Sequence, residues 1–437
     1  VKLDRSIYQQ RRAALLAKMP ANSVMLIAAA SHQSRNGDAE YAFRQNSDFY
    51  YLTGFNEPDG LLVLKPGSTS LSVLFTQPRD RDMEIWNGYR AGPEGCVADY
   101  GVDAAYELKE IDTQMPNLID GVDQLFYPLA RKTSLDGRVK GWIESVAQRV
   151  RAGAAVPKAL TDSDTLLHEM RLFKSDAEVE LMAHAAEISA QAHVTAMQEC
   201  RVGMNEFQLE AIIQSHCMKS GARYQAYTPI VAAGANACIL HYIENDKPIA
   251  DGDLILIDAG CELDNYASDI TRTFPANGKF TAEQRAIYEL VLKANIACIE
   301  LVKPGLNWDA LHQASVRILT EGLVELGLLS GDVDALIDSG AFRRFYMHRI
   351  GHWLGMDVHD VGSYRVNGEW RDLEPGMVTT VEPGLYIAPD DHSVEARWRG
   401  IGVRIEDDVL VTATGARVLT DSVPKDPDEI EALMANA

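Results

Sequence analysis

Residues 254–274, LILIDAGCELDNYASDITRTF, set an apolar strand against a second strand across a short polar turn. The pattern commits this part of the chain to an antiparallel ribbon. With the turn centred between Leu263 and Asp264, Asp258 falls directly opposite Asp269. Cross-strand partners lie close together on one face, so two carboxylates are expected side by side in a partly covered ladder. Unpaired, they would be costly to bury. A metal ion is the simplest compensation, and further ligands are then expected elsewhere.

The chain is 437 residues long, which favours two domains over a single core. A net charge of -22 makes nucleic acid and anionic membranes poor partners. The six cysteines, Cys96, Cys200, Cys217, Cys238, Cys261 and Cys298, are scattered without a CxxC pair. They read as buried reduced thiols rather than disulfides or a zinc knuckle. Cys261 lies near Asp258 but has no basic neighbour to activate it as a nucleophile. The N-terminal VKLDRSIYQQRRAALLAKM is an amphipathic helix pattern, neither a signal peptide nor a membrane span. A cytoplasmic protein is expected.

A strand is expected at 23–30. Short apolar or aromatic runs follow at 48–53, 60–65 and 70–75, with a strand at 124–129 and a helix at 139–154, so residues 1–172 form a mixed α/β domain. Its two prominent loops are the stretch around 34–54 and the stretch 80–95, which places Trp86 and Tyr89 among Gly and charged residues. Trp86 there can line a ligand, meet another subunit, or plug its own domain. Residues 173–437 form the second domain. Ser175 with Glu178 makes a capping box that opens a helix to about Cys200, and another helix runs from about Asn205 to Ser220. Thr281 with Gln284 repeats the signal, opening a helix to about Leu301, and a further helix begins near Trp308. Strand-rich sequence follows each pair: 226–232, 236–242 and the hairpin in one half, and 344–349, 376–382, 385–388 and 400–412 in the other. A helix from Pro427 closes the chain. The recurrence suggests two related halves, helices over one sheet.

Further polar residues stand in this strand-rich sequence. His348 and His352 have i,i+4 spacing, but HRIGHWLG lacks the zincin glutamate and carries Gly351 and Gly355, so a zincin helix is rejected. His359 follows in MDVHD. Glu382 stands before the turn in TVEPGLY. Alternation places Arg404 and Glu406 on one face of GIGVRIEDDVLV, opposite Val403 and Ile405. Any one of these alone reads as a structural or surface group. As a set, Asp258, Asp269, His352, Glu382 and Glu406 suit two divalent cations, and mostly oxygen donors favour manganese or cobalt over a structural zinc.

The strings LIDAGCELDNYASDITRTFP, HWLGMDVHDVG, LEPGMVTTVEPGLYI and GIGVRIEDD resemble the pita-bread metallopeptidases of family M24, most closely the bacterial Xaa-Pro aminopeptidases (aminopeptidase P). The resemblance covers the whole chain. It implies an α/β (α+β) architecture, with a creatinase/aminopeptidase P-like N-terminal domain before a pita-bread catalytic domain of pseudo-two-fold repeat. Asp258 would bind one metal, Asp269 and Glu406 would bridge both, and His352 and Glu382 would bind the other. Mn²⁺ is expected, with Co²⁺ or Zn²⁺ as alternatives. His241, His348 and His359 match outer histidines that contact substrate or stabilise the tetrahedral intermediate. Arg404 matches an arginine behind the metals, Tyr386 a tyrosine near them, and Trp86 a tryptophan lent to a neighbouring subunit of a homotetramer. The implied reaction is hydrolysis of the N-terminal Xaa-Pro bond by a hydroxide held between the metals, with Glu382 relaying the proton. An Xaa-Pro dipeptidase and a non-catalytic peptide-binding relative are the alternatives. Arg349 stands where the family usually has glycine, so its side chain must point away from the metals or the loop must take another path.

Overall fold

The computed structural model describes residues 3–67, 71–131 and 133–436. Two expected elements begin outside them: the N-terminal helix pattern at Val1 and Lys2, and the strand candidate 70–75 at Ser70. The chain divides into two compact units, one ending at Arg171 and the other running from Leu172.

The first unit is built on a six-stranded sheet in the order Ala104–Glu107, Leu71–Thr76, Leu61–Lys65, Ser23–Ala28, Gln124–Tyr127, Ala159–Asp162. Only Leu61–Lys65 runs antiparallel to its neighbours. The central strands are buried on both faces, as strands sandwiched between helices must be. One face packs Val24, Leu26, Val63 and Phe75 against Met115, Val139 and Trp142.

Two stretches differ from expectation. The aromatic run at 48–53 is a helix, Ser47–Thr53. Asn46 caps it by accepting from the Phe49 amide at 3.0 Å, and Gly54 ends it at φ 64°, so local capping decides its state. The stretch 80–95 also holds a helix, Arg81–Asn87, capped by Asp80.

The second unit contains both helix pairs. Asp176–Glu199 and Ala282–Leu301 open on the expected capping boxes and are followed by Glu206–Lys219 and Trp308–Glu325. Each pair is succeeded by a three-stranded antiparallel sheet. The first joins Ile230–Ala233, Leu254–Asp258 and Thr271–Pro275; the second joins Val378–Val381, Asp407–Val411 and Ala416–Val418. Gly384–Tyr386 pairs with Gly402–Arg404. Hydrogen bonds join the halves, with the Glu406 amide donating to the Thr271 carbonyl at 3.1 Å and the Thr273 hydroxyl to the Arg404 carbonyl at 3.0 Å.

Two strand expectations fail here. Residues 236–242 begin as the 3-10 turn Gly234–Cys238 and continue without a ladder, and 344–349 is irregular after Ala341–Arg344. Both segments instead carry histidines to one cavity.

Candidate metal centre

The hairpin forms, but in a different register. Its turn centres between Asp264 and Asn265, both at positive φ (48° and 66°), the conformation of a two-residue hairpin turn. Asp258 therefore pairs with Thr271, not with Asp269. The two aspartates still converge, because Tyr227 places its hydroxyl against an oxygen of each. Between them the strands cross so closely at Gly260 that a Cβ there would lie 1.8 Å from the Ser268 carbonyl oxygen. Only glycine fits.

Around this crossing lies a cavity of about 430 Å³, lined by Asp258, Asp269, His352, Glu382 and Glu406, with His241, His348, His359, Arg404 and Tyr227. Oxygen or nitrogen atoms of Asp269, His352 and Glu406 all lie within 4.8 Å of one another. Glu406 is 2% exposed and accepts from the Thr271 hydroxyl at 2.6 Å. Burial, with Asp269, Glu382 and Asp258 adding their charges, pushes its pKa far up. Burial pushes Glu382 up to about 7, the charges of His352 and Arg404 opposing and those of Asp269 and Asp258 adding. Asp269 is also raised, first by burial and further by Asp258, while His352 opposes. Four carboxylates gathered this tightly need positive charge between them.

His352 shows where that charge belongs. Its Nδ1 lies 3.0 Å from the Trp353 carbonyl, an acceptor only, so Nδ1 carries the hydrogen. Nε2 then faces oxygens of Asp269 and Glu382, each at 3.5 Å. A lone pair aimed at two carboxylates requires a proton or a cation. Burial works against the proton, but Asp269 and Glu382 carry the pKa to about 9. One imidazole nitrogen fixed by a backbone carbonyl, with the other free to bind, is the arrangement metal-ligating histidines use. The donor set fits divalent cations.

Behind the carboxylates runs a directed chain of hydrogen bonds. Arg404 donates through Nη2 to Asp258 at 2.6 Å, through Nη1 to the Tyr386 hydroxyl at 2.9 Å and through Nε to Thr271 at 3.1 Å. The Tyr386 hydroxyl donates onward to Nε2 of His348 at 2.9 Å, the ring nitrogen left as acceptor because Nδ1 faces a carbonyl. Nδ1 of His348 donates to the Arg349 carbonyl at 2.7 Å. Both nitrogens of His348 are thus engaged within the protein, which presents its ring to the cavity. Burial and the Arg404 charge bring its pKa down to about 3, so the ring is neutral. His359 packs edge-on against His352, ring centroids 4.2 Å apart. Like His241, it is exposed to the cavity. Burial and the neighbouring His352 lower its pKa.

The sequence reading did not single out Tyr227 or Thr271. Thr271 had a signal, the i,i+2 spacing from Asp269 within DITRTF; Tyr227 had none that separates it from a core tyrosine. Tyr386 is 2% exposed and reaches the cavity through Arg404 and His348. Arg349 still lines the cavity, with its guanidinium turned to Asp309 and 4.6 Å from the centroid of Trp370. Trp86 belongs to the other unit, is 83% exposed, and does not line this cavity.

Comparison with known proteins bears on the whole chain. A family model described as metallopeptidase family M24 matches residues 180–413, and one described as the aminopeptidase P N-terminal domain matches residues 8–127. The Xaa-Pro aminopeptidase of Escherichia coli (strain K12) is 48% identical over 438 residues, covering 100% of this chain and 99% of the relative. Among solved structures, Pseudomonas aeruginosa aminopeptidase PepP is similar at a TM-score of 0.98 and 55% identity, covering 100% of this chain and 99% of that one. Proline aminopeptidase P II from Yersinia pestis gives 0.97 and 50% identity, with 100% of each chain covered.

Proposed function

The chain belongs to metallopeptidase family M24, and from that premise we propose that it is a metal-dependent Xaa-Pro aminopeptidase with a pita-bread catalytic domain. The observation that carries this reading is the convergence of Asp258, Asp269, His352, Glu382 and Glu406 on one cavity with His241 and His359 exposed beside them. The E. coli relative, 48% identical across the full length, bears the same activity in its name. The domain division we adopt is 1–172 and 173–437.

Asp258 would hold one cation, Asp269 and Glu406 would be shared, and His352 with Glu382 would hold the second. When bound, two divalent cations supply Lewis acidity that brings the ionisation of a water near neutral pH. Manganese is our assignment, since the donors are mostly oxygen. The protein's own groups do the rest. Glu382 takes the proton from the attacking water at its carboxylate and returns it to the leaving nitrogen. His359 and His241 donate to the oxyanion that develops on the carbonyl preceding proline. Arg404 fixes the orientation of Asp258, and Tyr386 fixes His348, whose neutral ring bounds the proline subsite. An Xaa-Pro bond offers no amide N–H, so shape rather than a hydrogen bond to that nitrogen selects it.

Met83, Ile85, Trp86 and Tyr89 form an exposed apolar group on and just after the helix Arg81–Asn87. Such a group favours a covered surface, and we assign it to a homotetramer in which Trp86 serves a neighbouring subunit's site. All six cysteines are free, which suits a reducing cytoplasm. Among the described residues no helix is long and apolar enough to cross a membrane.

The test is turnover by manganese-loaded protein of Xaa-Pro dipeptides, Xaa-Pro-Yaa peptides and Met-Ala-Yaa peptides. Release of the first residue from Xaa-Pro-Yaa is expected. Turnover of dipeptides alone would make the protein a dipeptidase, and no turnover of any Xaa-Pro peptide would leave a binding protein.

A further inference from the structure

Two arginines share one indole. The guanidinium carbon of Arg349 lies 4.6 Å from the Trp370 ring centroid, and that of Arg365 lies 4.3 Å from the same centroid. An aromatic face attracts a cation, but two cations at one ring repel each other, and only one is neutralised. Arg349 donates to the Asp309 carboxylate. Arg365 has no carboxylate partner among the described residues. One guanidinium of the group is therefore without a carboxylate at ion-pair distance, in a chain whose net charge is -22.

The assembly is fixed in place. Arg365 and Trp370 face each other across the short ribbon Arg365–Val366 and Glu369–Trp370. Asn307 donates to the Trp370 carbonyl at 2.9 Å, and the Trp308 amide to the Arg371 carbonyl at 2.9 Å. These bonds tie the ribbon to the start of the helix whose Asp309 holds Arg349. A guanidinium held from two sides has already lost much of its side-chain freedom, so an added contact costs less entropy. Only one of its nitrogens is committed to Asp309. Arg349 is exposed, and it lines the same cavity as Asp269, His352 and Glu382.

Resting on the aminopeptidase reading, we propose that Arg349 and Arg365 form a carboxylate-recognising subsite for the part of a peptide that follows the proline. The substrate amine belongs at the carboxylate-rich end of the cavity. His348 bounds the proline and Arg349 follows it at the cavity wall, and we place the leaving chain on that side. A carboxylate on that chain is attracted by these guanidiniums, which favours the orientation that leads with the amine. That carboxylate is either the peptide's own C-terminus or an acidic side chain.

Three peptides sharing their first two residues separate the possibilities in manganese-loaded protein: Xaa-Pro-Ala amide, Xaa-Pro-Ala with a free C-terminus, and Xaa-Pro-Asp amide. At low salt, kcat/KM for at least one carboxylate-bearing peptide should exceed that of the neutral amide by about three- to fivefold, the scale of an exposed ion pair. The difference should lie in KM and shrink as salt is added. Which carboxylate peptide gains identifies the source. In Arg349→Gln the ratio should fall to about one or below, and in Arg365→Gln part of the way. Equal ratios in the wild type and both variants, with the neutral peptide still cleaved, would overturn the subsite alone. Failure of the wild type to cleave any of the three would overturn the aminopeptidase reading with it.

Discussion

Arg272 and Asp407 meet at 2.7 Å with both side chains fully buried, joining the second arm of the Asp258 hairpin to the strand that follows Glu406. Arg272 also donates to the carbonyls of Thr271, Glu406, Val423 and Pro424. Asp407 accepts from Lys425 and Thr420 as well. Burial would raise its pKa, but Arg272 and Lys425 outweigh burial and hold it well below the ordinary carboxylate range. Removing Arg272 leaves the buried Asp407 with Lys425 alone as its cation and takes a donor from four carbonyls. Arg272→Leu should cost about 3–5 kcal/mol, measured by urea unfolding of the metal-free protein. A loss below about 1 kcal/mol would mean the pair behaves as a surface contact.

Tyr227→Phe separates the metal-free from the loaded state. The hydroxyl has one hydrogen and two carboxylate neighbours, Asp258 and Asp269. Its loss should destabilise the metal-free protein by about 1–3 kcal/mol. With manganese present the carboxylates have another partner, and the penalty should shrink. Thermal melts with and without the metal read this difference; equal penalties in both states would remove Tyr227 from the site's electrostatics.

Without metal, stability should fall as pH rises. Burial lifts Glu382 from its ordinary 4.5 to about 7, so folding favours the protonated acid. That stability is complete below pH 4.5 and is lost as pH rises through about 7. His352, carried up to about 9 by Asp269 and Glu382 against burial, adds a loss of the same sign from 6.5 upward. The metal-free Tm should therefore drop between pH 5 and pH 8, and Glu382→Gln should flatten the decline. Manganese binding at pH 7 should release protons, seen by calorimetry in buffers of different ionisation enthalpy. A metal-free Tm that rises over this range would contradict both pKa directions.

Trp86→Ala tests whether the exposed indole serves a site outside its own unit. At 83% exposure its loss should change the unfolding free energy by no more than about 0.5 kcal/mol. KM for Xaa-Pro-Yaa peptides should nevertheless rise, with kcat less affected. An unchanged KM would confine Trp86 to its own surface.

The convergence of Asp258 and Asp269 was legible in the sequence because strand alternation survives a register error. Placing the hairpin turn one residue early shifted the pairing by two, and a shift of two preserves the face. Asp258 and Asp269 were thus rightly brought together although neither is the other's partner. The helix pairs were legible for a local reason, the capping boxes at Ser175 and Thr281. Strand-like composition places His241 and His348 on expected strands. A strand needs a continued ladder, and the His348 segment makes one backbone bond to a strand, from the Tyr386 amide to the Phe345 carbonyl at 2.9 Å; short-range pattern cannot reveal where such pairing stops. Tyr227 escaped because its role depends on two residues more than thirty positions away.

The narrowest point of the centre is at a residue with no side chain. The five ligands could each exchange for another oxygen or nitrogen donor and leave the backbone able to fold, at the expense of affinity or rate. Gly260 has no such latitude, since a single methyl group would overlap the Ser268 carbonyl. Under mutation, then, a lost candidate ligand leaves a protein that still folds around a weaker centre, whereas a side chain at 260 removes the crossing that brings the two aspartates together. Damage of the first kind is graded; damage of the second is not.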